Sequence, residues 1–212
     1  MKINKNIAKI IEDNSALLDT QDYEKLYRLL RWNQRRFLTN MLMEAEIDPL
    51  PHMENIVGCM YIGTDIRHLY IPPNIKTIEK GAFQFCKLLH NIQIGSGVTR
   101  IEEYVFDNCT SLSNLVIPGN VKVIGSNCIV ACDALQHVTL EKGIEKIDNN
   151  AIMLERGMRI DYTGTMADWN KIKKGRDIIF QAGPVRGNPE LWDGDEMIVH
   201  CKDGDIQMTH AN

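Results

Sequence analysis

Cys59, Cys86, Cys109, Cys128, Cys132 and Cys201 are the residues whose type could carry metal, redox or cross-linking chemistry. Cys128 and Cys132 stand in a C-x₃-C spacing, half of a zinc site, but no second pair of suitable ligands lies near them. An even number of cysteines signals a disulfide framework in a small secreted chain. Here the chain has 212 residues, and its first lysines are followed by no continuous apolar stretch. The expectation is a reducing cytoplasm and free thiols. His200 and Cys201 are the types for a base and a nucleophile. Neighbours on a strand point to opposite faces, so they would not meet. Asp193, Asp195, Glu196, Asp203 and Asp205 could offer oxygens to calcium, yet they lack the offsets of an EF-hand loop and read as solvated turns. The chain contains no Gly-rich phosphate loop, no G-x-S-x-G and no H-E-x-x-H. Neither an enzyme activity nor a metal or cofactor is expected.

Three of the cysteines belong to a ruler. Cys86, Cys109 and Cys132 are 23 residues apart, and seven further columns keep the same step. Leu69, Ile92, Leu115 and Val138 form one; Ile71, Ile94, Ile117 and Leu140 the next. Ile75, Val98, Val121 and Ile144 follow, then Ile78, Ile101, Ile124 and Ile147. Small residues (Ala82, Val105, Cys128, Ala151), then Phe83, Phe106, Ile129 and Ile152, and last Leu89, Leu112, Leu135 and Met158 complete the unit. Glu155 breaks the cysteine column, which fits an approach to solvent. Within a unit, Leu-x-Ile reads as a short strand with two side chains inward and one outward. "PPN" or "GSG" turns the chain. Ile-x-x-Ile makes a second inward edge, and "GAFQFCKLL" a tight helical or irregular return. A single unit cannot bury these side chains, but stacked units can. The cysteines are then small hydrophobes in a buried ladder.

The pattern L-x-I-P-x-x-[IV]-x-x-I-x-x-x-A-F-x-x-C-x-x-L resembles the BspA-like leucine-rich repeats, 23-residue repeats of bacteria that also occur in protists and in phages of gut bacteria. "DYTGTMADWNKI" (161–172) and "IVHCKDGDI" (198–206) resemble the segments that often close such arrays. The resemblance implies an α/β fold, a right-handed leucine-rich-repeat solenoid of about four repeats. It implies binding of other macromolecules and no catalysis.

The expected organisation is a helical segment over 1–55, the solenoid over 56–159 and a C-terminal cap helix with a β-hairpin over 160–212. Ile7, Ile10 and Ile11 predict a first helix reaching Leu17 or Leu18. A second is predicted from about Asp22 to Ala45, with Tyr23, Leu26, Tyr27, Leu30, Phe37, Leu38, Met41 and Leu42 as its apolar stripe. "IVGCMYIGTDI" reads as a leading strand. The helices could cap the first repeat or form a separate docking arm. Ile160 and Tyr162 continue the strand register. "TMAD" is a capping-box start to a helix presenting Trp169 and Ile172. "MIVHCKDGDIQM" reads as a hairpin turning at Asp203-Gly204.

Binding, then, is the function to place. The outward residues of the first strand stack into a face made of His68, Tyr70, Asn91, Gln93, Asn114, Val116, His137 and Thr139, continued by Arg159 and Asp161. Polar, neutral and aromatic residues suit a protein or glycan partner. Lys76, Thr77, Arg100, Lys122 and Lys146 predict a more basic ladder one edge over. A second candidate surface is the helix bearing Arg28, Arg31, Trp32 and Arg35, with Arg36 and Leu29 beside them; Trp and Arg are frequent interface anchors. The same arginines could hold phosphates of a nucleic acid. However, residues 1–55 carry eight basic and nine acidic side chains, and the whole chain has a net charge of −4, so no polycationic field attracts one. The longest uninterrupted apolar run, Cys128–Cys132, is too short to span a membrane. The expected function is a non-enzymatic, cytoplasmic protein-interaction module. The alternative is a structural component, such as a phage virion or decoration protein, anchored by its N-terminal helices and self-assembling.

Overall fold

The structure is a computed structural model and describes residues 5–154, 157–181 and 197–208. The 23-residue ruler becomes a parallel β-solenoid of about five turns, with three sets of backbone hydrogen bonds running along it. The first is the Leu-x-Ile strand: β2 (His68–Ile71), β4 (Asn91–Ile94), β6 (Asn114–Ile117), β8 (His137–Leu140) and β11 (Arg159–Tyr162). Burial alternates along β4 and β6, as period-2 patterning requires. Like residues sit beside like: Leu69 pairs with Ile92, and Leu115 with Val138 and then Ile160. This set is interrupted between β4 and β6, so β2 and β4 form their own two-stranded sheet.

The second set is a six-stranded parallel sheet of dipeptides. It runs through β1 (Asn55–Ile56), β3 (Thr77–Ile78), β5 (Arg100–Ile101), β7 (Val123–Ile124), β9 (Lys146–Ile147) and β12 (Lys173–Lys174) without interruption. The third is the return segment, which forms turns and no helix. Its amides bond from unit to unit: Phe83 to the Val105 carbonyl, Phe106 to that of Cys128, Ile129 to that of Ala151. Two residues per unit take the left-handed conformation to make this turn, at Gly81, Tyr104, Asn127 and Asn150 and at Phe85, Asn108 and Ala131.

The repeat reaches beyond the four units legible in the pattern. "IVGCMYIGTDI" is no simple leading strand but the second half of an earlier unit. Ile56 pairs with Ile78, and the Tyr61 amide bonds the Ala82 carbonyl. Tyr61 stacks on Phe83, which stacks on Phe106, at 5.3 and 5.8 Å between ring centres. At the other end β10 (Ile152–Leu154) pairs with β13 (Ile179–Gln181).

The cysteine ladder is more than filler. Cys86, Cys109 and Cys132 are buried, and each thiol donates to a backbone carbonyl of the preceding unit, those of Tyr61, Phe83 and Phe106, at 2.9, 3.2 and 3.0 Å. Thr64 starts the series, its hydroxyl donating to the Tyr61 carbonyl at 2.9 Å. A small side chain with a donor fits this column better than alanine would.

The missing Leu-x-Ile strand of the earliest unit is replaced by helices. α1 (Lys5–Asp13) and α2 (Ser15–Asp19) lead to α3 (Tyr23–Leu29) and α4 (Trp32–Glu44). The expected continuous helix is therefore two helices. Leu30 and Arg31 are extended between them, and Leu30 turns into the core. Both sides of the break are satisfied. Arg35 Nε donates to the carbonyls of Tyr27 and Leu30, and Gln34 Oε1 accepts from the Arg31 amide. Leu26, Tyr27, Leu38 and Leu42 share one core with Ile56, Met60 and Phe83. Glu24 covers the open edge of β1, its carboxylate accepting from the amides of Glu54 and Asn55 at 3.0 Å each.

At the far end α5 (Met166–Lys171) starts at Thr165, whose hydroxyl accepts from the Asp168 amide, and buries Trp169 and Ile172. β14 (Ile198–Cys201) and β15 (Gly204–Gln207) form the hairpin. Its register, Cys201 opposite Gly204, puts Lys202-Asp203 in the turn, one residue earlier than expected. The Ile7 side chain, Glu155, Arg156, Asp193, Asp195 and Glu196 lie outside the described residues.

Candidate functional site

The expected sheet-face residues do come together. Tyr70 lies beside Gln93, and Val116 beside Thr139. His68 lies beside Asn91, and Asn114 beside His137. All are exposed except Thr139, which is half-buried. Tyr70 and Val116 are 54% and 47% exposed, large apolar surface that the core does not use.

The face is longer than the ruler predicts. β14 adds to β11 in parallel, and Asp161 pairs with His200, which pairs with Asp205 on β15. Val199 fills the inward position beside Ile160. The step from Ile160 to Val199 is 39 residues, so a 23-residue period cannot find it. The inward-outward alternation of "IVHC" was the available signal. This end of the face is charged and internally paired. Arg159 Nη2 lies 2.7 Å from Asp161 Oδ1, and that hydrogen-bonded guanidinium holds the Asp161 carboxyl below its usual range. His200 Nδ1 lies 2.8 Å from Asp205 Oδ1. Cys201 does not engage His200; its thiol lies 4.0 Å from the Val199 carbonyl.

The basic ladder is corrected in register and in charge. The aligned column is Thr77, Arg100, Val123, Lys146 and Lys173; Lys76 and Lys122 belong to the neighbouring one. Arg100, Lys122 and Lys146 pair with Glu102, Glu145 and Asp148. A stripe compensated in this way offers little free charge to an acidic ligand.

The arginine group divides. Arg28 bridges Glu24 and Glu79 at 2.8 and 2.6 Å, and Glu79 in turn accepts from the Gly58 amide. Arg35 is half-buried and donates to the Gly58 carbonyl at 2.5 Å. These two tie the helices to the first turn, and the Arg28 charge is already met by two carboxylates. Arg31 and Trp32 are exposed, Trp32 at 61%.

Among the described residues, which include all six cysteines, no disulfide forms. Burial pushes the Cys86 thiol up to about 11 and raises Cys109 and Cys128 further. Cys59 and Cys201 are half-exposed. Under native conditions near neutral pH a maleimide is expected to label Cys59 and Cys201 and to spare the other four until the chain unfolds. Mass spectrometry of the labelled chain checks this, and rapid native labelling of Cys109 would contradict the ladder. Among the described residues no group of three or more His, Cys, Asp or Glu side chains could hold a metal ion. No described helix is long and apolar enough to cross a membrane.

The sequence profile of the BspA type leucine-rich repeat region matches residues 50–164 in six copies, more than half of the chain. The chain belongs to the BspA-type leucine-rich repeat family. The matched span takes in the earlier half-unit that the structure adds to the four repeats. BspA-type repeats form a scaffold that generally binds proteins and does not catalyse. A leucine-rich cell surface protein from Faecalibacterium prausnitzii has a solved structure similar to this one, at 24% identity and a TM-score of 0.49. That match covers 57% of this chain and 32% of the other. A leucine-rich repeat protein of T. pallidum matches at 19% identity and a TM-score of 0.35, over 57% of this chain and 64% of its own. Less than two thirds of either protein is spanned. A search of curated proteins finds no match to this chain.

Proposed function

We propose that this BspA-type repeat chain is a non-enzymatic module that binds a protein partner through the outward face of its Leu-x-Ile strands. The observation that carries this reading is the presence of two exposed apolar side chains, Tyr70 on β2 and Val116 on β6, among neutral polar residues on the stacked strands. A fold needs nothing outward at these positions, and large apolar groups exposed on a polar surface are what interfaces use. The charged end, from Arg159 to Asp205, forms a rim that sets register and rejects partners of the wrong charge pattern. The helices serve this module as its N-terminal cap, since their apolar residues complete the core of the first turn.

Tyr70→Arg combined with Val116→Arg is expected to leave the melting temperature within about 2 °C, as befits exposed positions. It is expected to lower affinity for partners captured by the unaltered chain by at least about tenfold. Calorimetry and binding measurements on the purified variant check both. An unchanged affinity would remove the sheet face as the site.

A further inference from the structure

A second surface lies where α4 meets the return turns. Trp32, the first residue of α4, and Phe85, in the turn after β3, both line a cleft of about 540 Å³. They are 61% and 42% exposed. The volume falls within the range of ligand sites.

Phe85 is the residue that the fold does not explain. It sits at φ 61°, the left-handed region, which disfavours a bulky side chain. The residues at the same position in neighbouring turns are Gly63, Asn108 and Ala131, and all share that conformation. Glycine and asparagine suit it, and alanine tolerates it with less bulk. The solenoid therefore accepts a small residue here, and an exposed phenyl ring adds conformational strain without adding core. Strain retained at an exposed position points to a use beyond folding.

The charges around the cleft point the same way. Arg36 and Lys87 line it and make no ion pair with any described residue; Asp65 is the one carboxylate in the lining. Lys80 and Arg100, by contrast, are paired with Glu103 and Glu102. A carboxylate arriving at Arg36 or Lys87 has no ion pair among the described residues to displace, and it meets two cations against the single Asp65.

We propose that this cleft takes a short acidic peptide segment of a partner protein. An apolar side chain of that segment enters between Trp32 and Phe85, and flanking carboxylates meet Arg36 and Lys87. The inference rests on the reading of the chain as a protein-binding module, and it names a site distinct from the sheet face.

The test uses a phage-displayed library of random dodecapeptides selected on the full chain. Recovered peptides are expected to carry Asp or Glu beside a Leu, Ile or Phe, and to bind at least about tenfold more weakly to Trp32→Ala and to the double variant Arg36→Glu, Lys87→Glu. Phe85→Asn is expected to weaken the same peptides while raising the melting temperature, because it relieves the strained position. A purely structural Phe85 would move the melting temperature downward. Neutral or basic peptides, or no peptide at all, would overturn the proposal, as would peptides that bind Trp32→Ala as well as the unaltered chain. Peptides lost instead on Tyr70→Arg, Val116→Arg would place the site on the sheet face. Failure at the cleft leaves the sheet-face reading standing, since the two variant sets share no residue.

Discussion

Deleting residues 1–49 is expected to give a chain that aggregates, not a shorter soluble solenoid. Leu26, Tyr27, Leu30, Leu38 and Leu42 are each at most 2% exposed, and all pack into the core that continues through the first turn. Burial of a large apolar side chain stabilises by about 1.5–3 kcal/mol. Five of them together contribute on the order of 10 kcal/mol of gross burial, before the entropy of ordering them is subtracted. The deletion also uncovers Val57, Met60 and Tyr61 and strips β1 of the Glu24 carboxylate that occupies its edge amides. An open edge beside exposed apolar surface is a template for self-pairing. Light scattering on the truncated chain reads the outcome; a monomer with cooperative unfolding would show that the helices are a separable arm.

Acid provides a gentler form of the same experiment. Burial alone would raise the Glu24 carboxyl, but hydrogen bonds from Arg28, the Asn55 side chain and the amides of Asn55 and Glu54 outweigh it, and the group sits below its usual range. Its stabilisation is therefore present above the ordinary carboxylate range and lost as pH falls through the lowered folded value. Protection of the Glu54 and Asn55 amides, measured as hydrogen exchange against the intrinsic rate at each pH, is expected to fall in that window, ahead of that of core amides such as Phe106's. In Glu24→Gln these two amides should exchange fast already at neutral pH, with the acid step gone. An acid step that persists in Glu24→Gln would assign it to another carboxylate.

What the sequence made legible follows from the period. Wherever units repeat at 22 or 23 residues, side chains of one type stack, and the pattern of Leu, Ile, Phe and Cys defines core, strand and face together. The outward register of the residues from His68 to Thr139 is legible for that reason. Legibility failed where stacking continues without the ruler. Tyr61, Met60 and Thr64 take the columns of Phe, Ala and Cys with different residue types. β14 joins the face after a gap in which the period is lost. The break at Leu30 was hidden for another cause. Its residues are ordinary helix formers, and the satisfied groups that permit it come from Arg35 and Gln34, side chains of the next helix. The pairing of Arg28 and Arg35 is not legible because their acceptors, Glu79 and the Gly58 carbonyl, lie on another element. The ion pairs that neutralise Arg100 and Lys146 join each to a carboxylate two residues on, just past a two-residue strand, a spacing that sequence shows but does not distinguish from chance.

The turn column of Asn74, Gly97, Asn120 and Gly143 leads to the last prediction. Two solutions alternate along it. The Asn120 side-chain amide donates to the carbonyls of Gly95 and Val98 at 3.2 and 2.6 Å, as Asn74 does to Leu50 and Met53 at 2.8 and 2.6 Å. Gly97 instead lies against the backbone of the preceding unit. A Cβ there would fall 1.8 Å from the Pro73 carbonyl oxygen and 2.8 Å from that of Ile75. Both are backbone atoms of a rigid neighbouring turn, so no rotamer can yield. Units stacked at roughly 4.8 Å have no slack for a methyl group, and making room must stretch adjacent bonds such as that from the Thr99 amide to the Lys76 carbonyl, now 2.9 Å. Gly97→Ala is therefore expected to lower stability by about 3 kcal/mol or more, at the upper end of overpacking costs. Ser96→Ala, one residue away and exposed, should change it by less than about 0.5 kcal/mol. Urea titration of both variants measures the difference through the midpoint at unchanged slope. A Gly97→Ala variant as stable as the parent would mean that the units are not stacked as closely at this turn. The column would then be a preference for turn residues and not a steric requirement of the solenoid.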